Sequence, residues 1–286
     1  MNPLLLALLA SFAFALNNFF SRLGLEESSP ATAVAVNVTL SALGLWVLAA
    51  FLSPIRPFLS VKLWPFILSG IFAPCLARSL LFRGYEHMGL ARSDVLAGSI
   101  PLFAVLLAIG TIGERPSPLT VVGTISIVFG IGLLSYKRDV DKPWPRWAIV
   151  LPLAAAFFFA LRDVLTKFGL QLIPAPVTGA AVTTTVAGLF LNLPYLFRKG
   201  RARLLLTKRS FFFFCLAALS ATAAYLMMFT ALRWGMVSQV SPLIGIFPLF
   251  SVLLSFLFLQ SEERVSWKVV VGGSLVVGGA SCILSS

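Results

Sequence analysis

The two halves of this 286-residue chain repeat each other, each as five apolar spans. Residues 101–108 read Pro-Leu-Phe-Ala-Val-Leu-Leu-Ala, and residues 248–255 read Pro-Leu-Phe-Ser-Val-Leu-Leu-Ser, six identities in eight. Ser11 to Leu25 aligns with Ala156 to Leu170, pairing Phe12/Phe157, Phe14/Phe159, Ala15/Ala160, Leu16/Leu161, Gly24/Gly169 and Leu25/Leu170. Ser21/Thr166 and Arg22/Lys167 keep their chemical kind. Near the ends of the halves, Val121-Val122-Gly123 aligns with Val270-Val271-Gly272, and Gly130 with Gly279. An odd number of spans per repeat forces the second copy to enter a membrane the opposite way up.

Composition supports spans of that kind. The chain is 59% hydrophobic and only 11% charged, with a mean hydropathy of +0.97, far from the balance of a soluble domain. Crossing about 30 Å of hydrocarbon takes roughly 20 apolar residues. Ten stretches qualify, at about 3–22, 31–52, 64–87, 89–110, 118–136, 147–168, 175–197, 210–233, 235–259 and 267–285. Barrel strands alternate and run only about ten residues, so near-continuous hydrophobicity argues for helices. The expected fold is an all-α membrane protein of ten transmembrane helices, two inverted five-helix repeats around a central cavity. The halves are read as residues 1–137 and 147–286, joined by a basic linker at 138–146. Inverted repeats enclosing a central site recur among secondary transporters.

Ala13-Phe14-Ala15 resembles a signal cleavage site, but no Lys or Arg precedes the apolar run and the segment is repeated in mid-chain. The first span is therefore expected to be retained. Cys75, Cys215 and Cys282 fall inside spans without CxxC spacing and read as small buried residues. His87 has no second His or Cys near it, so neither metal nor cofactor is expected.

The net charge of +12 is placed in loops. Ten of the 22 basic residues lie in two connections: Lys137, Arg138, Lys142 and Arg146, then Arg198, Lys199, Arg201, Arg203, Lys208 and Arg209. This is a topological signal, not a nucleic-acid footprint, since basic loops stay cytoplasmic. Both loops follow odd-numbered spans and share a side. Arg264 and Lys268 join them, against Arg56, Lys62 and Arg115 opposite, so the charge places both termini outside the cytoplasm. The expected location is a cell membrane, read as a bacterial inner membrane.

Polar groups inside spans point to the site, because a charge at membrane depth normally faces a wet cavity or a partner. Span one carries Asn17 and Asn18, and span six carries Arg162 and Asp163. Asp163 and Lys167 are one turn apart and share a helix face. They form either a structural ion pair or, with Asp163 exposed to the cavity, a proton-coupling group. Span three is the most polar, with Arg78, Ser79, Arg83, Tyr85, Glu86 and His87. Arg83 and Glu86 can pair near the helix end. Arg78 is deeper and has no acid at i±3 or i±4. Its guanidinium suits a substrate carboxylate or phosphate, which its planar fork binds bidentately; alternatively it bonds helix carbonyls or an acid on another helix. The matching stretch of span eight offers Tyr225, Met227 and Met228, and Arg92, Asp94, Gln239 and Ser241 complete the inventory. The candidate substrate-binding residues are Asn17, Asn18, Asn37, Arg78, Arg83, Tyr225 and Gln239, with Asp163 and Lys167 as the coupling pair. Pro101, Pro242 and Pro248 lie within spans, and each removes a backbone hydrogen bond. They are read as kinks that either set packing or let spans four and nine gate. Gly123 and Gly130, like Gly272 and Gly279, lie seven apart and mark close helix contact.

A Pro-containing fourth span, then Gly113-Glu114-Arg115, then a Gly-spaced fifth span, repeated with Pro248, Glu263-Arg264 and Gly272, resembles the repeat unit of EamA-type members of the drug/metabolite transporter superfamily. The resemblance covers essentially the whole chain. It implies ten helices about an inverted pseudo-twofold, a central cavity and transport of small organic metabolites, often as export. It also implies that spans five and ten pack together, since the last helix of small four-helix relatives dimerises, and that the termini are cytoplasmic, against the charge count. Asn37, with Thr183 opposite, departs from the basic residue that many relatives carry in span two.

No GxSxG, Walker loop, HExxH or placed GxGxxG is present, so no enzyme is expected. The reading is a secondary transporter, as an exporter, of small organic metabolites such as amino acids or related compounds, working by alternating access. The alternatives are a flippase for a lipid-linked substrate or a nucleotide-sugar-like exchanger; a receptor or assembly role fits the repeat less well. The expected partners are a small-molecule substrate and the lipid bilayer, not nucleic acid. A monomer is expected, with a dimer left open.

Overall fold

The computed structural model describes residues 2–52, 60–135, 145–197, 206–258 and 267–286. All regular structure among them is helical, which follows from the solvent: hydrocarbon offers no partner to a free amide or carbonyl, so each span must satisfy its backbone internally. Span one is Pro3–Leu25, span two Pro30–Leu52 and span five Pro118–Ser135. Span six runs from a short turn into Val150–Leu172. Spans seven, eight and ten are Pro176–Phe197, Lys208–Trp234 and Trp267–Leu284. A proline opens spans one, two, five and seven, where its missing N–H is one the helix would leave unpaired anyway. Nine of these spans, among the described residues, are long and apolar enough to cross a membrane, and Val270–Leu284 adds a shorter tenth. Most of the basic loop residues, with the 138–144 part of the linker and Glu263-Arg264, lie outside the described residues.

Spans three, four and nine depart from regular helix. Span three passes from Trp64–Gly70 through a π-helical stretch, Ile71–Ala77, into Arg78–Met88. Span four is Leu90–Ala97, a turn at Gly98-Ser99, Ile100–Leu107 and a π turn, Ala108–Ile112. Span nine is Val237–Ile244 and Phe247–Phe258, interrupted at Gly245-Ile246. The proline reading is thereby corrected in detail. Pro101 and Pro248 open the second half-helix of their spans, in a first turn that needs no N–H, and of these three prolines Pro242 alone is interior to a helix. The kinks expected there are full breaks, at repeat-equivalent places.

Helix packing obeys the repeat. Span one lies along span eight and span six along span three; span two touches span eight, and span seven touches span three. Span one meets the second half of span nine, and span six the second half of span four. Spans five and ten, two and seven, and four and nine pair across the axis. The repeated glycines show why. Phe214 of span eight fills the notch left by Gly24, and Phe66 of span three fills the notch at Gly169; both rings are fully buried. Each half supplies the side chain that completes the other. Outside the membrane, Arg209 meets Glu26 at 3.1 Å and Glu27 at 3.3 Å, joining the end of span one to the start of span eight. The hydroxyl of Thr207, donating to Glu27 at 2.6 Å, holds that carboxyl below its ordinary pKa, and Arg209 acts in the same direction.

Spans five and ten form an antiparallel glycine seam. A Cβ on Gly123 would stand 2.5 Å from the carbonyl oxygen of Gly279, and one on Gly279 equally close to that of Gly123. Gly130 and Gly272 oppose each other in the same way, at 2.6 and 2.9 Å. Lipid supplies no hydrophobic drive between helices, so this backbone approach is itself the attraction. Gly123→Ala is expected to destabilise the protein by roughly 1–3 kcal/mol, as overpacking does. Gly278→Ala, with nothing within 4 Å of its added carbon, should leave stability unchanged. Thermal unfolding in detergent checks both.

Candidate functional site

Span six brings its polar residues to the broken span nine. Asp163 is buried, at 2% exposure. Its Oδ1 accepts from Arg162 at 2.7 Å (Nη2) and 2.9 Å (Nε), and its Oδ2 accepts from the Ser241 hydroxyl at 2.5 Å. The expected Asp163–Lys167 pair does not form. Lys167 points instead to the end of span eight, where its ammonium donates to the carbonyls of Leu232 (2.9 Å), Gly235 (2.8 Å) and Arg233 (3.4 Å). These terminal carbonyls lack intrahelical donors and carry the negative end of the helix dipole, so a cation suits them. The carboxylate one turn away was the nearer candidate by spacing, but the helix end offered three acceptors.

Glu114 answers Lys167 across the same junction. Gly113, at φ +74°, turns the chain out of span four, and Glu114 then accepts from the Val237 amide (2.7 Å), the Ser238 amide (2.9 Å) and the Ser238 hydroxyl (2.7 Å). It caps the N-terminus of span nine with a charge of the right sign. In the sequence Glu114 stands out only as part of the Gly113-Glu114-Arg115 motif, with no partner within helical spacing to give it a role. The signal was available in its pairing with an uncapped Met236-Val237 helix start.

The breaks of spans four and nine meet near the axis: a Cβ on Gly245 would lie 3.2 Å from Pro101. In the first half of span four, Asp94 accepts from the Tyr85 hydroxyl of span three at 2.7 Å. Arg78 stands where span three leaves its π-helical stretch, a kind of irregularity common at functional sites. It is partly buried, close enough to act electrostatically on Cys75 and Tyr85, and makes no hydrogen bond or ion pair with another described residue.

A model of the EamA-like transporter family matches residues 1–136 and, a second time, residues 146–285. The chain belongs to the EamA-like transporter family. It is therefore a multi-pass membrane transporter of small solutes. One solved crystal structure of a protein matches this EamA-like fold with a TM-score of 0.76 at 17% identity, covering 98% of this chain and 95% of that one. No curated protein matches at a significant level.

The remaining candidate residues of this EamA-like protein fall into two groups. Asn17 donates to the Ala217 carbonyl of span eight at 2.8 Å, and Asn37 links Ser21 and Ser41 at 3.2 and 3.3 Å, so both amides are engaged in helix packing. Thr183 bonds the Phe66 carbonyl at 3.1 Å. Tyr225 packs edge-on against Phe14, with ring centroids 5.4 Å apart. Gln239 donates to Ser286 at 3.2 Å, at the chain-terminus end of the molecule. Asn18 and Arg83 are exposed and have no bond to a described residue; Arg83 and Glu86 do not pair. Among the described residues no His, Cys, Asp and Glu cluster could hold a metal.

Asp163→Ala is expected to lower stability by roughly 3–5 kcal/mol, because it strands the Arg162 guanidinium without its counter-charge. Replacing both Arg162 and Asp163 with leucine should recover much of that loss, whereas replacing Lys167 together with Asp163 should not. Melting temperatures of the purified variants distinguish the two pairings.

Proposed function

We propose that the protein exports small organic metabolites, amino acids and related compounds among them, as a secondary transporter working by alternating access. The observation that carries this reading is the meeting of the two broken spans, in a molecule whose span three also holds, at Arg78, a partly buried guanidinium bonded to no described residue. Discontinuous helices at a repeat interface are where transporters of inverted architecture hold substrates, because freed backbone groups and helix ends point into the site. Residues 1–137 and 147–286 serve as the two halves that exchange conformations. Arg78 supplies the anionic subsite: a planar fork that accepts a carboxylate or phosphate on two parallel hydrogen bonds. The protein works in the bacterial inner membrane and as a monomer, since its glycine seam is already occupied within one chain.

Comparing the metabolites released by cells with and without the protein supplies the substrate. Uptake into inside-out vesicles then tests Arg78. Arg78→Lys keeps the charge but loses the fork, and is expected to weaken apparent affinity roughly tenfold or more with expression intact, given what a charge-assisted hydrogen bond contributes. Normal transport by Arg78→Ala would overturn the assignment.

A further inference from the structure

Repeat-equivalent residues at the two ends of the molecule differ in burial in one consistent direction. Asp163 is buried and bonded to span nine, while its counterpart Asn18 is exposed. Lys167 is partly buried on three carbonyls, while its counterpart Arg22 is exposed and bonded to no described residue. The first helix of span nine is buried at every position from Val237 to Ile244 except Gln239. In the matching helix of span four Ser93 and Ala97 are buried, but Arg92, Asp94, Val95 and Leu96 are only partly so. The end carrying both termini is therefore the closed one.

At that end a pair of opposite charges is brought from two different elements to one turn. Glu114, from the loop after span four, holds the two amides and the hydroxyl that start span nine. Lys167, from span six, holds the carbonyls that end span eight. The two charges act on each other across the Gly235-Met236 turn without direct contact. The turn also packs on the start of span one, where a Cβ on Gly235 would lie 3.0 Å from Pro3. Span nine's first helix is thus tied at its beginning by Glu114 and further along by Asp163 through Ser241.

We infer that Glu114 and Lys167 are a gate latch: they hold the terminus-bearing end shut and must release the turn between spans eight and nine for that end to open. Both are positioning residues, acting on the gate and not on the substrate. Removing either charge weakens only the state in which both are bonded, and so shifts the population towards the opposite state. The inference rests on the alternating-access reading, but its test needs no substrate, so a wrong substrate class leaves it standing.

The full chain, with Cys75, Cys215 and Cys282 replaced by alanine, carries one reporter cysteine at a time. Val240→Cys reports on the closed end, where Val240 is fully buried, and Asn18→Cys reports on the open one. In purified protein a water-soluble methanethiosulfonate should modify Asn18→Cys quickly and Val240→Cys slowly. Glu114→Gln or Lys167→Met should raise the Val240→Cys rate roughly tenfold, the scale set by charged hydrogen bonds, and lower the Asn18→Cys rate. Lys167→Arg, which keeps the cation, should restore the parental pattern. Ser238→Ala removes one of Glu114's three donors and spares both charges, so it should give a smaller change in the same direction in a variant that stays folded. Unchanged rates at both reporters, or rates that rise together, would overturn the latch and leave the two residues as ordinary helix caps.

Discussion

Hydrocarbon gives an unpaired amide or carbonyl no water to turn to, so wherever a span leaves regular helix the protein itself has to supply the missing partner. That constraint organises the interior. The interruption between spans eight and nine exposes carbonyls on one side and amides on the other, and Lys167 and Glu114 supply a donor and an acceptor of matching charge. The hydroxyl of Ser79 bonds the Cys75 carbonyl at 2.6 Å where the π-helical stretch of span three ends. Thr111 does the same for the Leu107 carbonyl at the π turn of span four. Among the described residues, the breaks and π-helical stretches inside spans lie in spans three, four and nine, and polar groups from these and neighbouring spans gather at them.

The same logic explains how the molecule can hold charge at depth. Arg162 and Asp163 neutralise each other, and a serine from span nine occupies the carboxylate's second oxygen. Lys167 is neutralised by a helix end with Glu114 nearby. Arg78 is the contrast, a partly buried cation without a bonded partner among the described residues.

The architecture was legible in the sequence because it depends on periodic, repeated signals. Span length, the odd number of spans per half, and the glycines seven apart in spans five and ten led to the inverted fold and to the seam where Gly123 meets Gly279. Polar partners were legible only where they are local. Spacing favoured Lys167 for Asp163, since residues four apart share a face, yet the carboxylate took its immediate neighbour and a hydroxyl 78 residues away. Glu114 reaches span nine across 123 residues, a contact no helical period encodes. Asn17 and Asn37 read as site residues because amides are rare in spans, but an amide serves equally well to tie two helices together. The prolines marked the right places, though Pro101 and Pro248 follow the breaks and only Pro242 of the three sits inside a helix.

The exchange of phenylalanines between halves bears on how the chain is made. Gly24 emerges from the ribosome early, but the ring that fills its notch, Phe214, belongs to span eight, 190 residues later. Phe66 likewise waits for Gly169. The first five spans thus enter the bilayer with their largest packing surfaces unfilled, and no compact half is available to fold and dock as a finished body. The partners that complete the packing of the early spans come only with the second half, which enters upside down.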